Sequence, residues 1–174
     1  MIVNEKPEPW LRGPMADVHP LLAPILYSFQ QAREDLDHWT SGLKDSQIWD
    51  RPHGLAPIGF HLRHIAGSVG RLMTYVTGGQ LTAGQISAMR GEMEPGASRD
   101  ELLRSLARAF YNAETIVRSL DPATLSEPRE VGRKKLPSTV GSLLAHIAEH
   151  TQRHVGEAII TVKLLKHSKH EVYL

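Results

Sequence analysis

The stretch LLAHIAEHTQRHVGEAI, residues 143–159 of this 174-residue chain, lies in the last of its long helical patterns. Its histidines, His146, His150 and His154, recur every four residues. Because an α-helix completes a turn in 3.6 residues, this spacing places the three imidazoles one turn apart along one flank. Histidines with this spacing are typical of a helix that supplies ligands to a metal ion.

A second pair of histidines, His61 and His64, lies in the stretch GFHLRHIAGS, residues 59–68. The apolar residues around this pair also follow a helical period, so the sequence predicts a second histidine-bearing helix. Helical bundles build metal sites from side chains on facing helices. The two stretches together predict a divalent metal site between two helices of a bundle.

Four segments show helical periodicity, and none shows the period-two alternation of a strand. Pro57 suits the first position of the second helix, and Ser98 with Glu101 forms a capping-box pattern at the start of the third. The sequence therefore predicts an all-α protein with a four-helix bundle. The segments run from about residue 21 to 41, from 57 to 78, from 98 to 121, and from 138 past 162, ending in a polar tail at 167–174.

The connection between the second and third helices, from Gly79 to Ala97, is longer than the other two connections. A helix of 20 residues spans roughly 30 Å, which a connection of this length can retrace. The second and third helices are then parallel, and the helix order is up-down-down-up with a long crossover. A simple up-down-up-down order is the alternative.

Composition narrows the class of protein. Lys plus Arg number 20 against 19 for Asp plus Glu, so nothing indicates binding to nucleic acid or to an anionic membrane. There is no cysteine, no signal-peptide pattern and no segment of membrane-spanning length, and we expect a cytoplasmic protein. The length predicts one domain, residues 1–174.

A helical wheel separates the three histidines of the last helix. His154 lies about 45° from the centre of the apolar face, His150 about 85° and His146 about 125°. The three also span about 12 Å along the axis, too far for one ion to bind all of them. His150 and His154 are therefore the better-placed pair. On the second helix the same wheel favours His61 as the inward residue over His64.

Two other metal motifs fit less well. His146 to His150 matches H-x-x-E-H, in which Glu149 would act as a base in a zinc peptidase, but this pair includes the outermost histidine and the chain is short for a peptidase. A di-iron site needs Glu-x-x-His on two helices, and neither histidine-bearing segment contains that motif.

From about residue 20 to 166, the chain resembles the DinB-like (YfiT-like) family of metalloenzymes. The resemblance implies a domain core at about 20–166, with terminal extensions at 1–19 and 167–174. The resemblance rests on IGFHLRHIAGS, residues 58–68, and on residues 143–159. It implies an up-down-down-up four-helix bundle, often a homodimer. It also implies that His64, His150 and His154 are the metal ligands. In this family a Gln usually follows the last histidine by three residues, whereas this chain has Glu157 there.

The resemblance implies an open site for Zn²⁺ or Ni²⁺, and a metal-dependent enzyme of the thiol S-transferase or thiol-dependent isomerase type. Without a cysteine, the thiol must come from a low-molecular-weight cosubstrate that reacts with a small-molecule substrate. A metal-dependent hydrolase is the alternative, and so is a non-catalytic bundle with a structural metal. Glu149, Glu157 and His61 are the candidate acid–base or supporting groups, and His61 can also replace or supplement His64.

Overall fold

The computed structural model describes residues 6–167, and four long helices form the body of the molecule. The polar tail at 168–174 and residues 1–5 of the N-terminal extension lie outside the described part. No helix within the described part is long and apolar enough to cross a membrane. The helices are α1 (Ala23–Thr40), α2 (Asp45–Ile48), α3 (Ile58–Val76), α4 (Ala83–Arg90), α5 (Arg99–Ser119) and α6 (Val140–His167), and the strands are β1 (Pro128–Val131) and β2 (Leu136–Thr139).

Side-chain contacts fix the directions of α5 and α6 relative to α1. Arg99, the first residue of α5, donates a hydrogen bond from Nε to Oγ1 of Thr40, the last residue of α1, at 2.9 Å. These two helices are therefore antiparallel. Near the far end of α6, the ammonium of Lys163 lies 4.9 Å from the ring centroid of Trp39, which is close to the end of α1. Helices α1 and α6 are therefore parallel.

Helix α3 is antiparallel to α6. His61, early in α3, faces Glu157, and Ser68, further along α3, faces His150, which is earlier in α6. With α1 antiparallel to α5 and parallel to α6, it follows that α3 and α5 are parallel. The up-down-down-up order is thus confirmed, and the alternating order is excluded.

The crossover between α3 and α5 contains a short helix, α4, that the sequence did not predict. Thr82 caps α4, since its hydroxyl accepts a hydrogen bond from the backbone N–H of Gln85 at 3.1 Å. After α4, the guanidinium of Arg63 donates hydrogen bonds to the backbone carbonyls of Gly91, at 2.9 Å, and of Glu94. These bonds hold the end of the crossover against α3.

Aromatic packing joins α1 to α5 in the centre of the core. Phe29 and Phe110 are fully buried, and their rings stack with centroids 4.6 Å apart. The buried residues of α3 and α6, such as Ile65 and Ile147, pack into the same cluster. The histidine-bearing helices therefore rest on a fixed apolar core.

Two sequence expectations need correction. The chain between α5 and α6 forms a two-stranded antiparallel hairpin, with Pro128 opposite Thr139, where no strand was expected. Pro57 is the residue before α3 rather than its first helical residue. The capping box at α5 is present as predicted, because Ser98 donates its backbone N–H to the carboxylate of Glu101 at 2.8 Å.

Candidate metal centre

A group of three histidines lies between α3 and α6. His64 comes from α3, His150 and His154 come from α6, and one ring nitrogen of each lies within 4.8 Å of the other two. The ring centroids of His64 and His154 are 4.5 Å apart, and those of His150 and His154 are 4.6 Å apart. The antiparallel pairing of α3 with α6 brings these residues together from distant parts of the chain.

The spacing of these nitrogens suits a metal ion. Nε2 of His64 lies 3.5 Å from Nε2 of His150. Two nitrogens that each bind a tetrahedral Zn²⁺ at about 2.05 Å are about 3.3 Å apart. The distance between these two nitrogens is therefore close to the distance expected for two ligands of one ion.

The buried carboxylate of Glu92, in the crossover, orients His64. Its Oε2 lies 2.6 Å from Nδ1 of His64, and its Oε1 accepts a hydrogen bond from the guanidinium of Arg71 at 2.6 Å. Burial by itself raises the pKa of Glu92, but the hydrogen bonds with His64 and Arg71 outweigh burial and lower that pKa. The ionised carboxylate accepts the proton on Nδ1, which leaves the lone pair of Nε2 facing His150.

Gly67 provides the space for this carboxylate. A Cβ at this position would lie 2.5 Å from Oε1 of Glu92 and 2.6 Å from the guanidinium of Arg71. A larger residue on this turn of α3 would push the Glu92–Arg71 pair away from His64.

Burial keeps His150 neutral. Burial, followed by repulsion from His154 and His64, lowers the pKa of His150 to about 4. Its Nδ1 lies 3.5 Å from the hydroxyl of the buried Ser68. A neutral imidazole offers the lone pair that a metal ion requires, so this histidine is ready to bind at neutral pH.

His154 belongs to a second group as well, with His61 and Glu157. Its Nδ1 lies 2.8 Å from a carboxylate oxygen of Glu157 and 3.1 Å from Nδ1 of His61. Burial, followed by the nearby His64, lowers the pKa of His154. Glu157 is half exposed, and it lines a cavity of about 480 Å³ together with His61 and Ile160.

The DinB superfamily matches residues 28–158, about three quarters of the chain and the whole of the candidate centre. The chain belongs to the DinB superfamily. The comparison with curated proteins gives no match. The family assignment agrees with the resemblance seen in the two histidine-bearing stretches.

Two solved structures share the fold of this chain. A conserved protein from Enterococcus faecalis is 14% identical, with a TM-score of 0.69 over 84% of this chain and 98% of its own. YfiT from Bacillus subtilis is 13% identical, with a TM-score of 0.66 over 88% of this chain and 93% of its own. YfiT is described as a probable metal-dependent hydrolase with an unusual four-helix bundle topology. At these identities the likeness shows the shared fold.

The structure also places the other predicted residues of this DinB chain. His61 is 3% exposed, as its inward position on the helical wheel predicted, while His64 lies at the seam with α6. Both residues therefore lie among candidate metal ligands. His64 is grouped with His150 and His154, and His61 with His154 and Glu157. His146 is exposed, and its Nδ1 lies 2.7 Å from Glu149, whose other oxygen accepts a hydrogen bond from Arg153. His146 and Glu149 belong to neither group of candidate ligands.

Sequence reasoning missed Glu92, Arg71 and Ser68. Arg71 and Ser68 follow His64 by seven and four residues, on the same face of α3, so the helical period contains a signal for them. Glu92 lies in the crossover, where no periodicity relates its position to α3.

In the metal-free DinB protein, stability should fall as pH decreases from about 6.5 to about 4. Burial, followed by repulsion from His154, lowers the pKa of His61 and of His150 from 6.5 to about 4. Between pH 6.5 and 4 the unfolded chain therefore binds more protons than the folded chain, so acidification favours unfolding. Above pH 6.5 the two histidines make their full contribution to the free energy of unfolding.

Thermal melting with a chelator present, measured across this pH interval, checks the expectation. His61→Asn should flatten the dependence of the melting temperature on pH, whereas His53→Asn, in an exposed turn, should leave it unchanged. An identical slope for His61→Asn and the unmodified chain would contradict the pKa assigned to His61.

Proposed function

We propose that this chain is a metal-dependent enzyme in which His64, His150 and His154 hold one divalent ion, with Zn²⁺ or Ni²⁺ best suited to three imidazoles. The observation that carries the proposal is the approach of three ring nitrogens to within 4.8 Å of one another. A bound ion of this kind supplies Lewis acidity and lowers the pKa of a bound water towards 7.

The surrounding residues set the protonation of two ligand histidines and place a carboxylate next to the third. Glu92 holds the proton of His64 on Nδ1, and burial keeps His150 neutral. Glu157 presents a half-exposed carboxylate beside His154 and at the cavity, where it can accept a proton from a reacting group. Three protein ligands leave coordination positions open, which favours a reactive site over a structural one.

We favour hydrolysis of a small molecule as the reaction. The fold neighbour YfiT is described as a probable metal-dependent hydrolase, and an open three-histidine site suits activation of water. The cavity beside Glu157, at about 480 Å³, has the volume of a pocket for a small organic substrate.

Thiol S-transfer is the second candidate. The resemblance to the DinB-like family favours it, and a metal ion can keep a bound thiolate nucleophilic at neutral pH. The chain has no cysteine, so a low-molecular-weight thiol must supply the sulfur. The same resemblance leads us to propose a homodimer.

The test uses protein purified without an affinity tag. We expect about one divalent ion per chain by elemental analysis, and metal-dependent turnover either of ester and amide substrates or of an electrophile with added thiols. Removing the ion with a chelator should abolish turnover, and returning Zn²⁺ or Ni²⁺ should restore it.

His146→Ala is the matched control and should keep both the ion and the turnover. If metal removal lowers only the melting temperature and no reaction in either series depends on the metal, the site is structural and the proposal is wrong.

A further inference from the structure

The contacts among His61, His154 and Glu157 form a triangle of donor atoms. Nδ1 of His61 lies 3.1 Å from Nδ1 of His154 and 3.4 Å from Oε2 of Glu157, and the same carboxylate oxygen lies 2.8 Å from Nδ1 of His154. Adjacent ligand atoms around an ion at about 2.1 Å are about 3.0 Å apart in octahedral geometry and about 3.4 Å apart in tetrahedral geometry. All three edges are therefore close to those of one face of a coordination polyhedron.

Hydrogen bonds alone satisfy this triangle poorly. A neutral imidazole carries one ring proton, and an ionised carboxylate carries none. If His154 donates from Nδ1 to Glu157, His61 has only a share of the same proton. If only His61 is the donor, the carboxylate and the lone pair of His154 face each other at 2.8 Å. If both rings donate from Nδ1, their two N–H groups face each other across 3.1 Å. A cation at the centre satisfies all three atoms at once.

We propose that His61, His154 and Glu157 form a second metal-binding position, distinct from the three-histidine group. Its donor set is two histidines and one carboxylate, which suits harder divalent ions such as Mn²⁺ or Fe²⁺ better than a set of three imidazoles does. His61 and Glu157 also line the cavity that contains Leu55, Ile160 and Thr161, so water or a small ligand can reach this position.

His154 makes the two positions exclusive. Both positions require a lone pair from this ring, and a neutral imidazole has only one nitrogen with a free lone pair. The ring therefore serves one position at a time. The chain therefore holds one tightly bound ion at a time. Zn²⁺ or Ni²⁺ takes the three-histidine position, and Mn²⁺ or Fe²⁺ takes the position that includes Glu157.

The test is a Mn²⁺ titration followed by electron paramagnetic resonance, in which free Mn²⁺ gives the signal. We expect the Mn²⁺ affinity of the double variant His64→Ala/His150→Ala to stay within about threefold of the unmodified chain, while its Zn²⁺ affinity falls at least about tenfold. Glu157→Gln should lower Mn²⁺ affinity at least about tenfold.

Glu157→Gln keeps the size of a half-exposed side chain, so folding is preserved, and circular dichroism verifies this. Glu130→Gln, on the exposed hairpin, is the matched control and should bind Mn²⁺ normally. The second position is wrong if the unmodified chain binds no Mn²⁺, if the double variant loses Mn²⁺, or if Glu157→Gln retains it. Failure of the unmodified chain to bind Zn²⁺ or Ni²⁺ would instead contradict the three-histidine site. The Mn²⁺ titration would still decide whether the second position exists.

Discussion

His154→Ala is expected to lower the affinity for Zn²⁺, Ni²⁺ and Mn²⁺ alike, by about 100-fold or more. His154 is the one residue that both groups of candidate ligands share. Removing it leaves two donors at either position, and each ligand of a zinc site contributes several kcal/mol to binding. Competition with a chromophoric chelator measures the change for each ion.

His146→Ala provides the comparison on the same helix. Its imidazole is exposed and pairs with Glu149, so metal affinity should change by less than about twofold. If His146→Ala loses the ion while His154→Ala keeps it, the ligand assignment on α6 is wrong.

Replacing Glu92 with alanine should weaken both folding and metal binding. The carboxylate is buried between His64 and Arg71, and its removal leaves the guanidinium of Arg71 buried without its partner. Loss of one member of a buried ion pair costs about 3 kcal/mol of the free energy of unfolding. Loss of the carboxylate that orients a ligand histidine lowers metal affinity by about 10–100-fold.

Glu92→Gln separates the two effects. The amide keeps the size of the side chain, so unfolding in urea should be affected less than in Glu92→Ala, while the loss of the negative charge still weakens the contact with His64. Glu94→Gln, exposed two residues further on, should alter neither quantity. A Glu92→Gln variant with unchanged Zn²⁺ affinity would show that Glu92 supports the fold without orienting His64.

The four bundle helices and their order were predictable from the sequence. Each long helix carries a repeating apolar stripe, and the length of the chain from Gly79 to Ala97 allowed it to return along the bundle. The grouping of His150 with His154 was also predictable, because residues four apart on a helix are neighbours whatever the rest of the chain does.

Contacts that depend on the path of a loop were not predictable. Glu92 reaches His64 because Arg63 holds the backbone after α4 against α3, and because Arg71 binds the other carboxylate oxygen. The hairpin was missed because its strands have four residues each, and each contains a proline, which weakens the usual strand pattern. The helical wheel ranked His61 above His64 because it measures the angle from the centre of the apolar face of α3. A site between α3 and α6 also uses side chains at the edge of that face, where His64 lies.

The candidate metal centre joins residues that are far apart in the chain, and this separation sets the order in which it can assemble. His64 and His150 are 86 residues apart in the chain, and His61 and His154 are 93 apart. During synthesis α3 emerges well before α6, so a growing chain that already contains α1 to α5 lacks His150 and His154. If His64, His150 and His154 hold the ion as proposed, metal binding follows docking of the last helix, because α6 supplies two of the three ligands.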